Sequence, residues 1–102
     1  MTSKDSKLMR YRNNPKAVSF GELKTLLESF GFEVKNYSGG SHFSVSHPKY
    51  KVIDEMEPNV IPMKRPHVLE VYVKRSINWI EKAKKIQEEE ERENNGTNKE
   101  ND

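Results

Sequence analysis

Residues 40–46 read Gly-Ser-His-Phe-Ser-Val-Ser, a stretch in which apolar and polar side chains alternate. This two-residue period is that of a half-buried β-strand, so Phe43 and Val45 are predicted to share one face of a sheet. His42 then belongs to the opposite face, toward solvent. The glycine pair before the strand predicts a turn, and residues 32–38 are expected to form the other arm of a β-hairpin.

A helix is predicted immediately before this hairpin. Ser19 and Glu22 have the spacing of a capping box, and the apolar residues that follow recur at steps of three and four. Gly31 stands where a helix of this length ends, because glycine tolerates the left-handed conformation of the residue after a C-cap.

A third strand and a second helix are predicted after the hairpin. Residues 59–63 form a mostly apolar run, in which Pro62 indicates an edge strand or the end of the strand, since proline cannot donate to a ladder. From about residue 68 to Ile86 the apolar positions trace a helical stripe. The predicted fold class is therefore α+β, with the order α-β-β-β-α and two helices packed on one face of a small antiparallel sheet.

Composition and charge narrow the function classes. The chain has 102 residues, no cysteine and three histidines without paired ligand spacing, which predicts neither a metal nor another cofactor. It lacks the long apolar run of a membrane span and the apolar stretch of a signal peptide, so a cytoplasmic protein without a membrane partner is expected.

Charge is distributed unevenly along the chain. Residues 1–18 carry five basic side chains and one acidic, whereas residues 87–102 carry seven acidic and two basic. We interpret residues 1–18 as a basic flexible arm, 19–87 as the folded domain and 88–102 as an acidic disordered tail. The excess of basic side chains before the tail suits a polyanionic partner.

Several short motifs occur in a fixed order through the predicted domain, and together they resemble a known family. They are Phe20-Gly21-Glu22-Leu23, Leu26-Leu27 ahead of Gly31-Phe32, Gly40-Ser41-His42, His47-Pro48, Ile61-Pro62 and Val71-Tyr72-Val73-Lys74. In this order they resemble the HicA family of toxin mRNA interferases, also called YcfA-like proteins, over about two thirds of the chain. One departure is Gly39, which stands where many family members have a lysine.

The resemblance implies a fold like that of the double-stranded-RNA-binding domain (dsRBD). It also implies ribosome-independent cleavage of mRNA, with His42 as the catalytic group. The implied protein partner is a cognate antitoxin of the HicB type. No small-molecule cofactor is implied.

The residues themselves suit metal-free RNA cleavage. This reaction needs a base for the 2′-hydroxyl proton, an acid for the leaving 5′-oxygen and cations for the charge on phosphorus. His42 is the candidate base or acid. The candidate groups for RNA phosphates are the side chains of Lys35, Lys51, Lys64, Arg65 and Ser41 and the backbone amides of Gly39 and Gly40.

Functions of different classes stay open at this point. The first is an endoribonuclease acting as the toxin of a type II toxin-antitoxin pair. The second is a non-catalytic RNA-binding or protein-binding module on the same dsRBD-like fold, which would not need His42. A third, an adaptor that binds protein through the arm and the tail, predicts no RNA affinity.

Other side chains also have two interpretations each. His47 is expected to pack or to end a strand, and His67 to cap a helix or lie on the surface. Trp79 suits a partner contact or a peripheral core position equally well. Tyr37 and Tyr50 would either stack on bases or pack across strands.

Overall fold

The computed structural model describes residues 3–37, 39–49 and 59–101, with side chains through residue 93 at the C-terminal end. The α+β class and the α-β-β-β-α order are confirmed, and a further helix precedes them. The elements are α1 (Ser3–Asn13), a short 3-10 helix (Pro15–Ala17), α2 (Phe20–Ser29), β1 (Glu33–Lys35), β2 (His42–Ser46), β3 (Val60–Pro62) and α3 (Glu70–Asn101).

The start of α2 is the predicted capping box. The Ser19 hydroxyl accepts a hydrogen bond from the Glu22 N–H at 3.2 Å, and Glu22 Oε1 accepts one from the Ser19 N–H at 3.0 Å. The hydrogen bonds from Ser19, with a smaller contribution from the charge of Arg10, hold the pKa of Glu22 below its ordinary value. Two backbone donors that the first helical turn leaves without partners are thereby satisfied.

The end of α2 is a Schellman motif. The Phe32 N–H donates to Leu27 O at 3.1 Å, and the Gly31 N–H donates to Glu28 O at 3.0 Å. Gly31 has a φ of +90°, which a side chain would strain, so the glycine predicted to end the helix is needed there. The motif turns the chain directly into β1.

The three strands form one antiparallel sheet in the order β1-β2-β3. Val34 pairs with Val45, and Phe43 pairs with Ile61. β3 lies at an edge of the sheet, as Pro62 predicts. These pairings put the buried apolar residues of the three strands, Val34, Val45 and Ile61, on one face together with Phe43.

The core lies between this apolar face and the helices. Trp79 belongs to the core and is 1% exposed, which makes it a packing residue rather than a partner contact. Phe43 packs on Phe20 of α2 with ring centroids 4.5 Å apart. The fully buried side chains that join the layers include Leu23, Leu26, Leu27, Ile61, Val73 and Ile80.

The N-terminal segment differs from its prediction. Residues 3–13 form α1 instead of a flexible arm, and Leu8 and Tyr11 are buried with exposed fractions of 3% and 5%. Asp5 and Arg12 make ion pairs with α3. Three apolar residues in eleven are too few to indicate an amphipathic helix. What stabilises α1 is packing against α2 and α3, which its own sequence does not reveal.

The C-terminal segment also differs from its prediction. α3 continues to Asn101 where a disordered tail is predicted over residues 88–102. Gln87 bonds Glu91 one turn later at 3.5 Å, and Glu90 lies 3.3 Å from Lys49 in an ion pair. Glutamate is a good helix former, and adding residues to a helix already nucleated by packing avoids the cost of a new nucleus.

Candidate functional site

The ends of three strands meet at one end of the sheet. β1 ends at Lys35, β2 begins at His42 and β3 ends at Pro62, which is the register partner of His42. One residue further, the Met63 N–H donates to Ser41 O at 2.6 Å. We call this region the turn end of the sheet; it comprises residues 35–37, 39–42 and 62–65.

His42 is exposed on the sheet face opposite the core, as its strand parity predicts. Lys35 pairs with Ser44, which lies two residues along β2 from His42 on the same face. Such diagonal neighbours are typically about 7–8 Å apart, within reach of a long side chain. Within the described residues His42 makes no hydrogen bond or ion pair, so both imidazole nitrogens are available to an external group.

The turn before His42 is held by a side chain that sequence reasoning missed. Asn36 Oδ1 accepts the Gly39 N–H at 2.6 Å, and Asn36 Nδ2 donates to Gly40 O. Gly39 has a φ of +79°, which glycine adopts without strain. Asparagine side chains often bond the backbone of a turn a few residues later, so an asparagine three residues before the glycine pair is a signal that could have indicated this contact.

This arrangement changes the predicted roles of the turn amides. The Gly39 N–H is engaged by Asn36, so it can hold an anion only if that hydrogen bond breaks. Gly40 and Ser41 are exposed at the turn, and Ser41 uses its carbonyl rather than its hydroxyl to bond Met63. Of the predicted turn groups, the Gly40 amide and the Ser41 hydroxyl are therefore better placed than the Gly39 amide to bind a phosphate.

The structure brings three of the four predicted cationic side chains to this end. Lys64 and Arg65 follow β3 and are exposed beside the turn, and Lys35 is exposed at the end of β1. In the part of the chain that the structure describes, none of the three takes part in an ion pair. Lys51 lies outside the described residues, as does Tyr50.

His47 is a structural residue. It is buried, and its ring meets the Phe32 ring edge-on with centroids 4.9 Å apart. Nδ1 accepts the Lys49 N–H at 3.1 Å, so the ring proton lies on Nε2 and is directed to Phe30 O at 3.3 Å. Both nitrogens are thus occupied, and the packed interpretation of His47 is confirmed.

Two further residues are placed on the surface. His67 is exposed in the segment before α3, which begins three residues later at Glu70, so it is a surface residue. Tyr37 follows β1 and is 77% exposed, so it does not pack across the strands.

The described residues contain no group of three or more His, Cys, Asp or Glu side chains arranged to hold a metal ion. None of the helices in these residues combines the length and apolar character needed to cross a bilayer. Comparisons of the chain with protein-family models, with curated proteins and with solved structures find no match. The resemblance to the HicA family therefore stays a prediction from the motifs, and function has to be inferred from the residues and their geometry.

Proposed function

We propose that this protein is a metal-independent endoribonuclease that cleaves mRNA and acts as the toxin of a type II toxin-antitoxin pair. One observation carries the proposal. His42 is exposed on the open face of the sheet, beside a glycine turn and among cations that have no ion-pair partner in the described residues. An imidazole can donate or accept a proton and nearby cations can bind a phosphate, so this set of side chains suits proton transfer at a phosphodiester.

The reaction would be an intramolecular transesterification of RNA. The 2′-oxygen attacks phosphorus while its proton leaves, and the bond from phosphorus to the 5′-oxygen breaks. His42 performs one proton transfer, either from the 2′-hydroxyl or to the leaving 5′-oxygen, and water performs the other. The products are a 2′,3′-cyclic phosphate and a free 5′-hydroxyl.

The cations would act on the phosphate rather than on the proton. Lys35, Lys64 and Arg65 can bind nonbridging oxygens and stabilise the charge that builds up on them during attack. A HicB-type antitoxin, which the resemblance implies, would suppress the reaction by covering the same open face. Its binding would place protein where the RNA backbone has to lie.

Substitution of His42 by alanine tests the proposal. Cleavage of RNA should fall by about 10² or more, the range for loss of a general acid or base. RNA affinity should be retained, and the free energy of unfolding should change by less than about 0.5 kcal/mol, because the side chain is exposed. Cleavage by the wild-type protein should persist in a chelator.

His67→Ala is the matched control, because His67 is also an exposed histidine and lies outside the turn end. It should cleave at the wild-type rate. If His42→Ala also cleaves at that rate, His42 has no part in the mechanism. A wild-type protein that binds RNA without cutting it would instead support the binding-module alternative.

A further inference from the structure

Tyr37 is the most exposed large apolar side chain in the described part of the protein. At 77% exposure its ring gains little from packing, whereas full burial of a large apolar side chain is typically worth about 1.5–3 kcal/mol. Stability therefore does not account for an aromatic residue at this position.

Tyr37 belongs to the same turn as His42. β1 ends at Lys35, which pairs with Ser44, and β2 begins at His42, two residues before Ser44. Tyr37 follows the end of β1 by two residues, so it lies in the connection that leads to His42. Tyr37 and His42 thus flank the same turn at the turn end of the sheet, and both are exposed.

The backbone next to Tyr37 is held in place. The side chain of Asn36 makes hydrogen bonds with both the Gly39 N–H and Gly40 O. These bonds connect the residues that follow β1 to the residues that precede β2. Because the turn is already held by hydrogen bonds, an aromatic ring on it loses little conformational freedom when a ligand covers the ring.

We propose that Tyr37 is a stacking platform for an unpaired base, and that it positions a nucleotide of single-stranded RNA beside the phosphate that His42 acts on. This inference rests on the proposed function, because it takes RNA to bind at the turn end. Single-strand-binding proteins commonly combine a cationic groove with aromatic rings on which bases stack. A base inside a duplex has both faces covered by its neighbours, so the ligand proposed for Tyr37 is single-stranded RNA.

The test measures binding of a mixed-sequence single-stranded DNA oligonucleotide, which lacks the 2′-hydroxyl and cannot be cleaved by the proposed reaction. Tyr37→Ala should weaken its binding by about 5- to 150-fold, and Tyr37→Phe should restore it to within about twofold of the wild type. Because stacking involves no ion pair, the slope of log affinity against log salt should not change. Affinity for the duplex of the same sequence should be unchanged as well.

A spectroscopic measurement distinguishes stacking from a general structural effect. In Tyr37→Trp the new indole should be quenched when the single strand binds, whereas Trp79 of the wild-type protein is 1% exposed and should not respond. Met9→Ala, an exposed apolar residue on α1, is the matched control and should bind as the wild type does.

Two outcomes would overturn the inference: wild-type affinity in Tyr37→Ala for the single strand, or an equal loss for single strand and duplex. If either occurs while His42→Ala abolishes cleavage, the proposed function survives and only the stacking role is lost. If Tyr37→Ala weakens single-strand binding but the wild-type protein never cleaves RNA, the stacking role stands and the endoribonuclease proposal fails.

Discussion

The cations of the helical layer and those of the turn end have different surroundings. Two ion pairs join α1 to α3, Arg12 with Glu81 at 2.5 Å and Lys84 with Asp5 at 3.0 Å. The three cationic side chains of the turn end have no such partner within the described residues. The composition does not distinguish these positive charges. In the fold, those of the helical layer are paired with carboxylates, whereas those of the turn end can bind an external anion.

The two regions also differ in burial. α1 is anchored by Leu8 and Tyr11, which are buried, whereas His42 and Tyr37 at the turn end are exposed. Substitutions of the buried residues of α1 should accordingly change stability and leave the chemistry of the folded protein intact. Substitutions at the turn end should change RNA binding or cleavage and leave stability intact. Three measurements test this difference.

The largest effect on stability is expected for Leu8→Ala. Removing a buried leucine side chain leaves a cavity and typically costs about 2–5 kcal/mol of unfolding free energy. Met9→Ala, next to it on α1 but 46% exposed, should cost less than about 0.5 kcal/mol. Urea denaturation of both variants measures the difference; equal stabilities would mean that α1 is not part of the core and that residues 1–18 behave as the flexible arm predicted from composition.

A smaller effect, confined to affinity, is expected for the double variant Lys64→Ala and Arg65→Ala. Each phosphate contact contributes about 0.7 to the salt slope of single-strand binding, so the slope of log affinity against log salt should fall by about 1.4. The melting temperature should not change. Lys82→Ala with Lys85→Ala removes two exposed cations from α3 and should leave the slope as it is; if both double variants reduce it alike, RNA is not bound preferentially at the turn end.

The smallest effect is expected for the ion pair between Arg12 and Glu81. Both side chains are about half exposed, and exposed pairs contribute only about 0–1 kcal/mol. A double-mutant cycle with Arg12→Ala and Glu81→Ala should therefore give a coupling energy in that range, and the coupling should weaken at high salt. A value well above 1 kcal/mol would show that the ion pair, rather than the burial of Leu8, holds α1 in place.

Local patterns account for what was predicted correctly. The capping box at Ser19 and Glu22, the helix end at Gly31 and the alternation through β2 all depend on neighbours within a few residues. Because a strand has a period of two, the number of residues that separate His42 from Phe43 and Val45 is enough to predict that His42 faces away from the core. The candidate catalytic residue could thus be placed on the correct face before any contact was known.

The errors lie where stability depends on distant partners. α1 has a weak apolar pattern, and it becomes a helix through burial against α2 and α3. The acidic end of α3 is polar all round, and its helix is continuous with a packed one. Neither cause can be recognised from the composition of the segment itself.

The amino-acid order alone is enough to specify the helices and strands of the domain, the facing of each strand and the chemistry available at His42, because these follow from periods of two and 3.6 residues and from side-chain type. Long-range packing decides which of these groups act together. The register between β2 and β3 brings residues 62–65 beside the turn, Asn36 engages the Gly39 amide, and α3 provides ionic partners for α1. Which cations are left without a partner depends on contacts between residues far apart in the chain, so it is decided only when the chain has folded.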